Sequence, residues 1–343
     1  MKAHIAVNES QRQSRLGIWQ RYVPGLLLVL FLAVAAKILG QVVTWVPDVV
    51  VALVAGIVVG NLLLRDRNKY REGVRFAQTT LLQTAIVLLG GSLSFAAVLR
   101  IGVQTVGVIL LCFVLAFSLS VLFARVLSLP GKVGVLLGSG TAICGATAII
   151  TIGPLINADE EEIAYAVTTI FFFNILAVVI YPALGHMFNL SSLAFGTWAG
   201  TSVNDTSAVI ASSYAYSPGA GAVATVVKLT RTLLLVPLSV GVSSFAARHP
   251  GQRVAVLKTT PWFVFGFAVM AVLNSFGLLA GDLPRVFAAL AGFLIVMVLA
   301  AVGLNVEAVR MRAMGPVPFL AGILLAVVMS ALSFGIVRFL DLA

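Results

Sequence analysis

The chain has 343 residues, of which 60% are hydrophobic and only 10% charged, with a formal net charge of +10 and a mean hydropathy of +1.09. Soluble domains carry about 25% charged residues, so the composition excludes a soluble globular protein and predicts a polytopic membrane protein with all-α architecture. The positive charge sits in short connections between apolar runs, where it orients a membrane protein rather than binding nucleic acid. The two cysteines, Cys112 and Cys144, both fall in apolar segments, and the three histidines are scattered. No disulfide framework, metal-ligand spacing or cofactor motif follows.

Residues 1–23 form a polar, basic leader without a small-residue cleavage site after the first apolar run, so a cytoplasmic tail or surface helix is expected rather than a removed signal peptide. From there the chain reads as one membrane domain. A helix needs about 20 apolar residues to cross the hydrocarbon core. Spans are expected near 24–46, 48–64, 76–99, 101–124, 132–156, 162–186, 191–216, 219–245, 259–280, 283–304 and 316–339, about 11 in all.

With the N-terminus inside, most of the Lys and Arg residues fall on the cytoplasmic side, in clusters such as Arg65, Arg67, Lys69, Arg71 and Arg75. Arg100, Arg285, Arg338 and the acidic run Asp159 to Glu162 fall outside. That asymmetry predicts a cytoplasmic N-terminus and a periplasmic C-terminus in a bacterial inner membrane. Three basic residues remain within spans: Lys37, which stands alone and can snorkel, and Lys228 and Arg231.

A faint internal repeat runs along the chain. Ala55-Gly56 precedes Asn61 in the second span as Ala199-Gly200 precedes Asp205 in the seventh, and Gln83-Thr84 matches Arg231-Thr232. This pairs spans 2–6 (about 48–186) with spans 7–11 (about 191–340) as inverted five-helix repeats, leaving 24–46 as an extra helix. Chance similarity between apolar segments is the competing explanation.

Residues 138–147 read GSGTAICGAT, in the middle of the fifth span. Glycine frees the backbone to leave the helix, and Ser139, Thr141 and Thr147 supply hydroxyls for the groups so exposed. Close helix packing is the alternative use of small residues. An interrupted helix would present a half-helix N-terminus, with free N–H groups suited to an anion. Under the repeat its partner is the tenth span, near Gly303.

The seventh span holds GTWAGTSVNDTSAVIAS, residues 196–212. Asp205 is the one acid deep in a span, which marks a functional site by default; an ion pair with Arg231 or Lys228 is the structural alternative. Thr201 and Asp205 are four apart and share a face of a continuous helix, as do Ser202 and Thr206. Lys228 and Arg231, three apart, share a face of the eighth span. With Asp205 they sum to a formal charge of +1, which favours an anion. The candidate substrate-binding set is therefore Ser139, Thr141, Cys144, Gly145, Asn204, Asp205, Thr206, Lys228 and Arg231, with Thr141, Cys144 and Gly145 facing a cavity.

The segments GSGTAICGATAI, FGTWAGTSVND, VVKLTRTLLLVPL, PWFVFGF and VGLN resemble the YeiH-type family of bacterial inner-membrane proteins, often labelled sulfate exporters, from about Pro24 to the C-terminus. The family is related to the sodium/proton antiporters and bile-acid sodium symporters. That likeness implies a core domain, a panel domain, two interrupted helices crossing near the midplane, and a homodimer. Many members carry a His-Glu pair and a following Gln where this chain has Asn204-Asp205 and Ala208. An Asn-Asp pair is similar to the ion-binding pair of some sodium/proton antiporters. The expectation is a secondary transporter of a small anion, sulfate or sulfonate-like, coupled to protons or sodium. The alternatives are a cation/proton antiporter using Asn204-Asp205 and a channel. An enzyme is not expected, because no second acid, histidine or metal set accompanies Asp205 at membrane depth.

Overall fold

The computed structural model describes residues 2–42, 46–64, 67–127, 129, 132–246, 262–279, 281–306 and 316–340. They are helical throughout, with no strand among them. Arg65, used above for orientation, lies outside these residues, as do the further basic residues Arg248, Arg253, Lys258, Arg310 and Arg312, which the same argument assigns to the cytoplasmic side, and His249. Among the described residues six helices are long and apolar enough to cross a membrane, within Arg21–Val42, Phe95–Val126, Glu160–Met187, Pro218–Ser239, Leu283–Asn305 and Leu320–Phe339. Shorter apolar helices at Asp48–Leu63, Val133–Ala142, Ala146–Leu155 and Trp262–Ser275 fall on the expected spans 48–64, 132–156 and 259–280. The chain divides into two compact units.

The first unit comprises residues 1–85 and 289–308. Helix α1 (Lys2–Val42) runs without a break from the expected tail into the first apolar run. Helix α2 (Asp48–Val58) continues through a π-helical turn, Val59–Leu63. Helix α3 (Asn68–Phe76) passes through a second such turn, Ala77–Leu81, into α4 (Leu82–Gly90). Here the small residues serve close packing. Gly56 on α2 and Gly60 in the π-helical turn that follows lie against Gly303 and Leu304, so a Cβ on Gly56 or Gly60 would strike backbone. Such small-residue contacts let two helix backbones approach in lipid, where van der Waals packing drives association.

The expectation of a break near Gly303 is therefore corrected. Helix α14 (Leu283–Asn305) is continuous through it, and the missing side chain makes room for α2. Asn61, the proposed counterpart of Asp205, donates to the Ile57 carbonyl at 2.9 Å and the Val306 carbonyl at 3.0 Å. Lys37 does not stand alone: its Nζ is 4.0 Å from Asp48 Oδ2, both side chains partly exposed.

The second unit comprises residues 86–288 and 309–343. It contains α5 (Phe95–Val126), α6 (Val133–Ala142), α7 (Ala146–Leu155), α8 (Glu160–Met187), α9 (Ser192–Ser202), α10 (Thr206–Tyr216), α11 (Pro218–Leu233), α12 (Leu235–Ala246), α13 (Trp262–Ser275) and α15 (Pro316–Phe339). Local signals set the ends. Ser94, Ser191 and Ser217 accept from backbone N–H groups three residues on, as N-caps do. Pro218 occupies the first position of α11, where its missing N–H costs nothing. The acidic run opens α8, with Glu162 Oε2 accepting from Asp159 N–H at 2.9 Å, in the half of a capping box that also complements the helix dipole. Inside, Tyr181 stacks on Trp198 at 4.3 Å and Phe195 on Tyr216 at 4.0 Å between ring centroids.

In this unit the expected span 219–245 is divided only at Leu234, between α11 and α12, and two others are broken over three residues each. The break between α6 and α7 falls inside 138–147, as the glycine cluster predicts, and the break between α9 and α10 falls at Val203-Asn204-Asp205. The second interruption thus belongs to the seventh expected span, not the tenth.

At the first break Gly145 has φ 68° and ψ −128°, a region essentially reserved for glycine. The two breaks touch: a Cβ on Gly145 would stand 3.4 Å from the carbonyl carbon and oxygen of Asn204. Gly145→Ala should therefore cost roughly 1–3 kcal/mol of stability, read as a lowered melting temperature in detergent. Gly241→Ala, in α12 with open space around the added methyl, should be neutral or stabilising, since alanine outranks glycine in a helix by about 1 kcal/mol. Equal effects at both positions would contradict the break geometry.

Candidate functional site

Breaking a helix in lipid strands backbone groups that no water can reach, each at a cost of several kcal/mol. At the crossing every stranded carbonyl that bonds to a side chain does so through α11. Lys228 and Arg231 are 0% and 1% exposed, on one face of that helix. Lys228 Nζ donates to the carbonyls of Ile143 at 2.9 Å, Val203 at 3.4 Å and Asn204 at shorter range. Arg231 Nε donates to the Ala142 carbonyl at 2.7 Å, and its Nη1 to Thr201 at 2.8 Å, Gly200 at 3.2 Å and Val203 at 3.4 Å. The two cations thus cap the C-terminal ends of α6 and α9, where the helix dipole is negative.

The stranded N–H groups go elsewhere. Asn174, in the middle of α8, places Oδ1 3.0 Å from the Asn204 N–H and 3.1 Å from that of Asp205. Asp205 is the N-cap of α10. Its Oδ2 accepts from Ser207 N–H at 2.9 Å and from the Ser207 hydroxyl at shorter range. The carboxylate therefore balances the positive end of α10. Among the described residues no ion pair joins Asp205 to Lys228 or Arg231, so the structural pairing held open above is not the arrangement found.

The predicted residues divide accordingly. Gly145, Asn204, Asp205, Lys228 and Arg231 meet at the crossing. Thr206 begins α10 and is half-buried beside them. Ser139 turns back onto its own helix, donating to the Leu136 carbonyl at 2.9 Å. Thr141, Cys144 and Gly145 are buried. A pocket of about 550 Å³ in this unit is lined by Leu155, Ile156, Asn157, Pro237, Leu238, Gly241 and Val242, away from the breaks. Thr147 is exposed. Thr201 and Asp205 do not share a helix face, because α9 ends at Ser202. Thr201 instead lies 2.5 Å from the Ser333 hydroxyl of α15 and donates to the Thr197 carbonyl at 2.6 Å.

Two features where the breaks touch stand out. Asn204 is 5% exposed, and its Oδ1 has no hydrogen-bond partner. Helix α7 starts at Gly145, which has no side chain to cap its first turn, and the Ala148 N–H of that turn is directed at the Cys144 sulfur. The unpartnered Asn204 Oδ1 thus belongs to a residue whose main chain lies against the start of α7. Asn174 was not among the sequence candidates. The only trace it leaves is one amide within an apolar run, FFFNILAVV.

Comparison with known proteins agrees with this as a membrane protein and is silent on its activity. The family described as Conserved hypothetical protein 698 matches residues 24–322. A UPF0324 membrane protein of Clostridium tetani (strain Massachusetts / E88) is 33% identical over 326 residues, 89% of this chain and 94% of the relative. UPF0324 membrane protein SAG1125 of Streptococcus agalactiae serotype V is 33% identical over 315 residues, 89% of this chain and 93% of the relative. UPF0324 membrane protein FN0533 of Fusobacterium nucleatum is 30% identical over 340 residues, 93% and 98%. No solved structure matches the chain. A family match across 24–322 and relatives of this identity along nearly their whole length make the chain a member of the UPF0324 membrane protein family, the YeiH type that its motifs resemble.

Proposed function

We propose that this membrane protein is a secondary transporter of a small oxyanion, of sulfate or sulfonate size, and that the solute binds where the two helix breaks meet. One observation carries the reading. Two helix breaks, at residues 143–145 and 203–205, touch one another, beside two buried cations and a single half-buried carboxylate. The half-helix ends contribute about half a charge each and cancel in pairs. Lys228, Arg231 and Asp205 then leave a formal charge of +1. Their bonds to carbonyls hold the cations in place without removing their field, and the α7 N-terminus supplies N–H donors for an anion. Unwound backbone at membrane depth is the construction that transporters use for solute sites, and intramembrane charges mark solute and ion pathways.

Protons are the coupling ion this arrangement favours. Protonating Asp205 removes the one negative side chain from a crossing otherwise faced by Lys228, Arg231 and the Cys144 thiol. Anion affinity should then rise as pH falls, and anion binding should in turn draw in a proton. Asp205→Asn should keep or strengthen anion binding while losing most of its pH dependence. Titration calorimetry of both forms at several pH values, in buffers of different ionisation enthalpy, checks this. The same pH dependence in both, with no proton uptake in either, would remove Asp205 from the coupling.

A second reading is favoured by one feature. The unpartnered Asn204 Oδ1 beside the Asp205 carboxylate is a pair of oxygen acceptors that would suit sodium, as in cation/proton antiport. Sodium would then raise the melting temperature at constant ionic strength without any added anion, since a ligand that binds only the folded state stabilises it.

Under this proposal the N-terminus is cytoplasmic and the C-terminus periplasmic, a reading supported by the loop charges. Reporter fusions at each end should report opposite sides. Both ends on one side would overturn the span count.

A further inference from the structure

Nearly every polar group stranded at the crossing is spoken for by the protein itself. The carbonyls of Ala142, Ile143, Gly200, Thr201, Val203 and Asn204 accept from Lys228 and Arg231. The N–H groups of Asn204 and Asp205 donate to Asn174. Asn204 Oδ1 does not fit this pattern. It is a buried acceptor without a donor, on a residue whose main chain lies against the Gly145 cap of α7. Leaving such a group unpaired costs about 1–3 kcal/mol, and an amide, unlike a carboxylate, cannot become a donor at that oxygen by taking up a proton.

A ligand that satisfies both features must offer acceptor oxygens to the α7 N–H groups and one hydrogen to Asn204 Oδ1. Resting on the oxyanion reading above, we propose that the site selects hydrogen-bearing monoanions of weak oxyacids, the class of hydrogencarbonate, hydrogensulfite and dihydrogen phosphate. It rejects proton-free oxyanions of the same shape, sulfate included. A proton-free anion would turn a lone pair toward Asn204 Oδ1 and leave that acceptor both unpaired and repelled. A hydrogen-bearing one donates its O–H there. Sites built around a solute hydroxyl discriminate strongly against analogues that lack it, because the buried partner is left bare.

Two pairs of anions isolate the hydrogen from size and charge. Hydrogencarbonate and nitrate are both planar monoanions, and dihydrogen phosphate and perchlorate are both tetrahedral monoanions. Binding to the purified full-length chain, in sodium-free buffer at one pH, is read from melting-temperature shifts and calorimetry. The hydrogen-bearing member of at least one pair should bind about tenfold tighter or more. Asn204→Ala should bring that ratio close to one. The wild-type ratio decides the matter even where a variant does not fold. Equal binding of the two members of each pair would overturn the hydrogen selectivity while leaving the anion site standing. Absence of binding by all four anions would overturn both.

Discussion

The arrangement depends on one constraint: a helix cannot be interrupted at membrane depth unless something else takes its hydrogen bonds. This chain interrupts two helices at the same place, and the freed groups fall into two kinds. The carbonyls at the ends of α6 and α9 go to Lys228 and Arg231 on a single helix face. The N–H groups of the α9–α10 connection go to Asn174, and those at the start of α10 go to Asp205. Each charge is placed against the helix end of opposite sign. Lys228 and Arg231 can be fully buried because the carbonyls replace the water they have lost.

The arrangement also explains why the charges are not paired with one another. A buried carboxylate bonded directly to a buried cation would neutralise the crossing, and both groups would be diverted from the backbone ends that need them. With the groups separated, each stays bonded to the backbone end that needs it. The same residue type serves opposite ends in the two units. Gly145 allows the chain to leave the helix with a positive φ, whereas Gly56, Gly60 and Gly303 stay helical and let backbones touch. Composition alone does not separate these uses.

Much of the architecture was legible because lipid imposes long apolar runs, and the six long apolar helices among the described residues all fall on expected spans. The first break was legible because three glycines in ten residues exceed what packing demands. The second was not. Its signal is the polar pair Asn204-Asp205, which was read on a helical wheel and so assigned a face shared with Thr201. A wheel has no meaning across residues in extended conformation, and the capping role of Asp205 appears only once the helix is known to restart at Thr206. Gly303 misled in the other direction, since a repeat argument placed a break where packing against Gly56 holds the helix intact. Lys228 and Arg231 were recognised as a pair on one face, but their partners are backbone carbonyls, which carry no side-chain signature. Asn174 had the same difficulty: its role is to accept from main-chain N–H groups 30 and 31 residues away in sequence.

The central claim is that Arg231 holds the breaks together through carbonyls and is not a counter-ion for Asp205. A double-mutant cycle on unfolding in detergent tests it directly, using Arg231→Gln, Asp205→Asn and the two combined. If the claim holds, Arg231→Gln costs several kcal/mol, roughly 3–5 as for loss of one partner in a buried charged network, and adding Asp205→Asn does not recover it, since the Ala142, Gly200 and Thr201 carbonyls stay stranded. Restoration of most of the lost stability in the double variant would show that the two charges are partners, and would contradict the account.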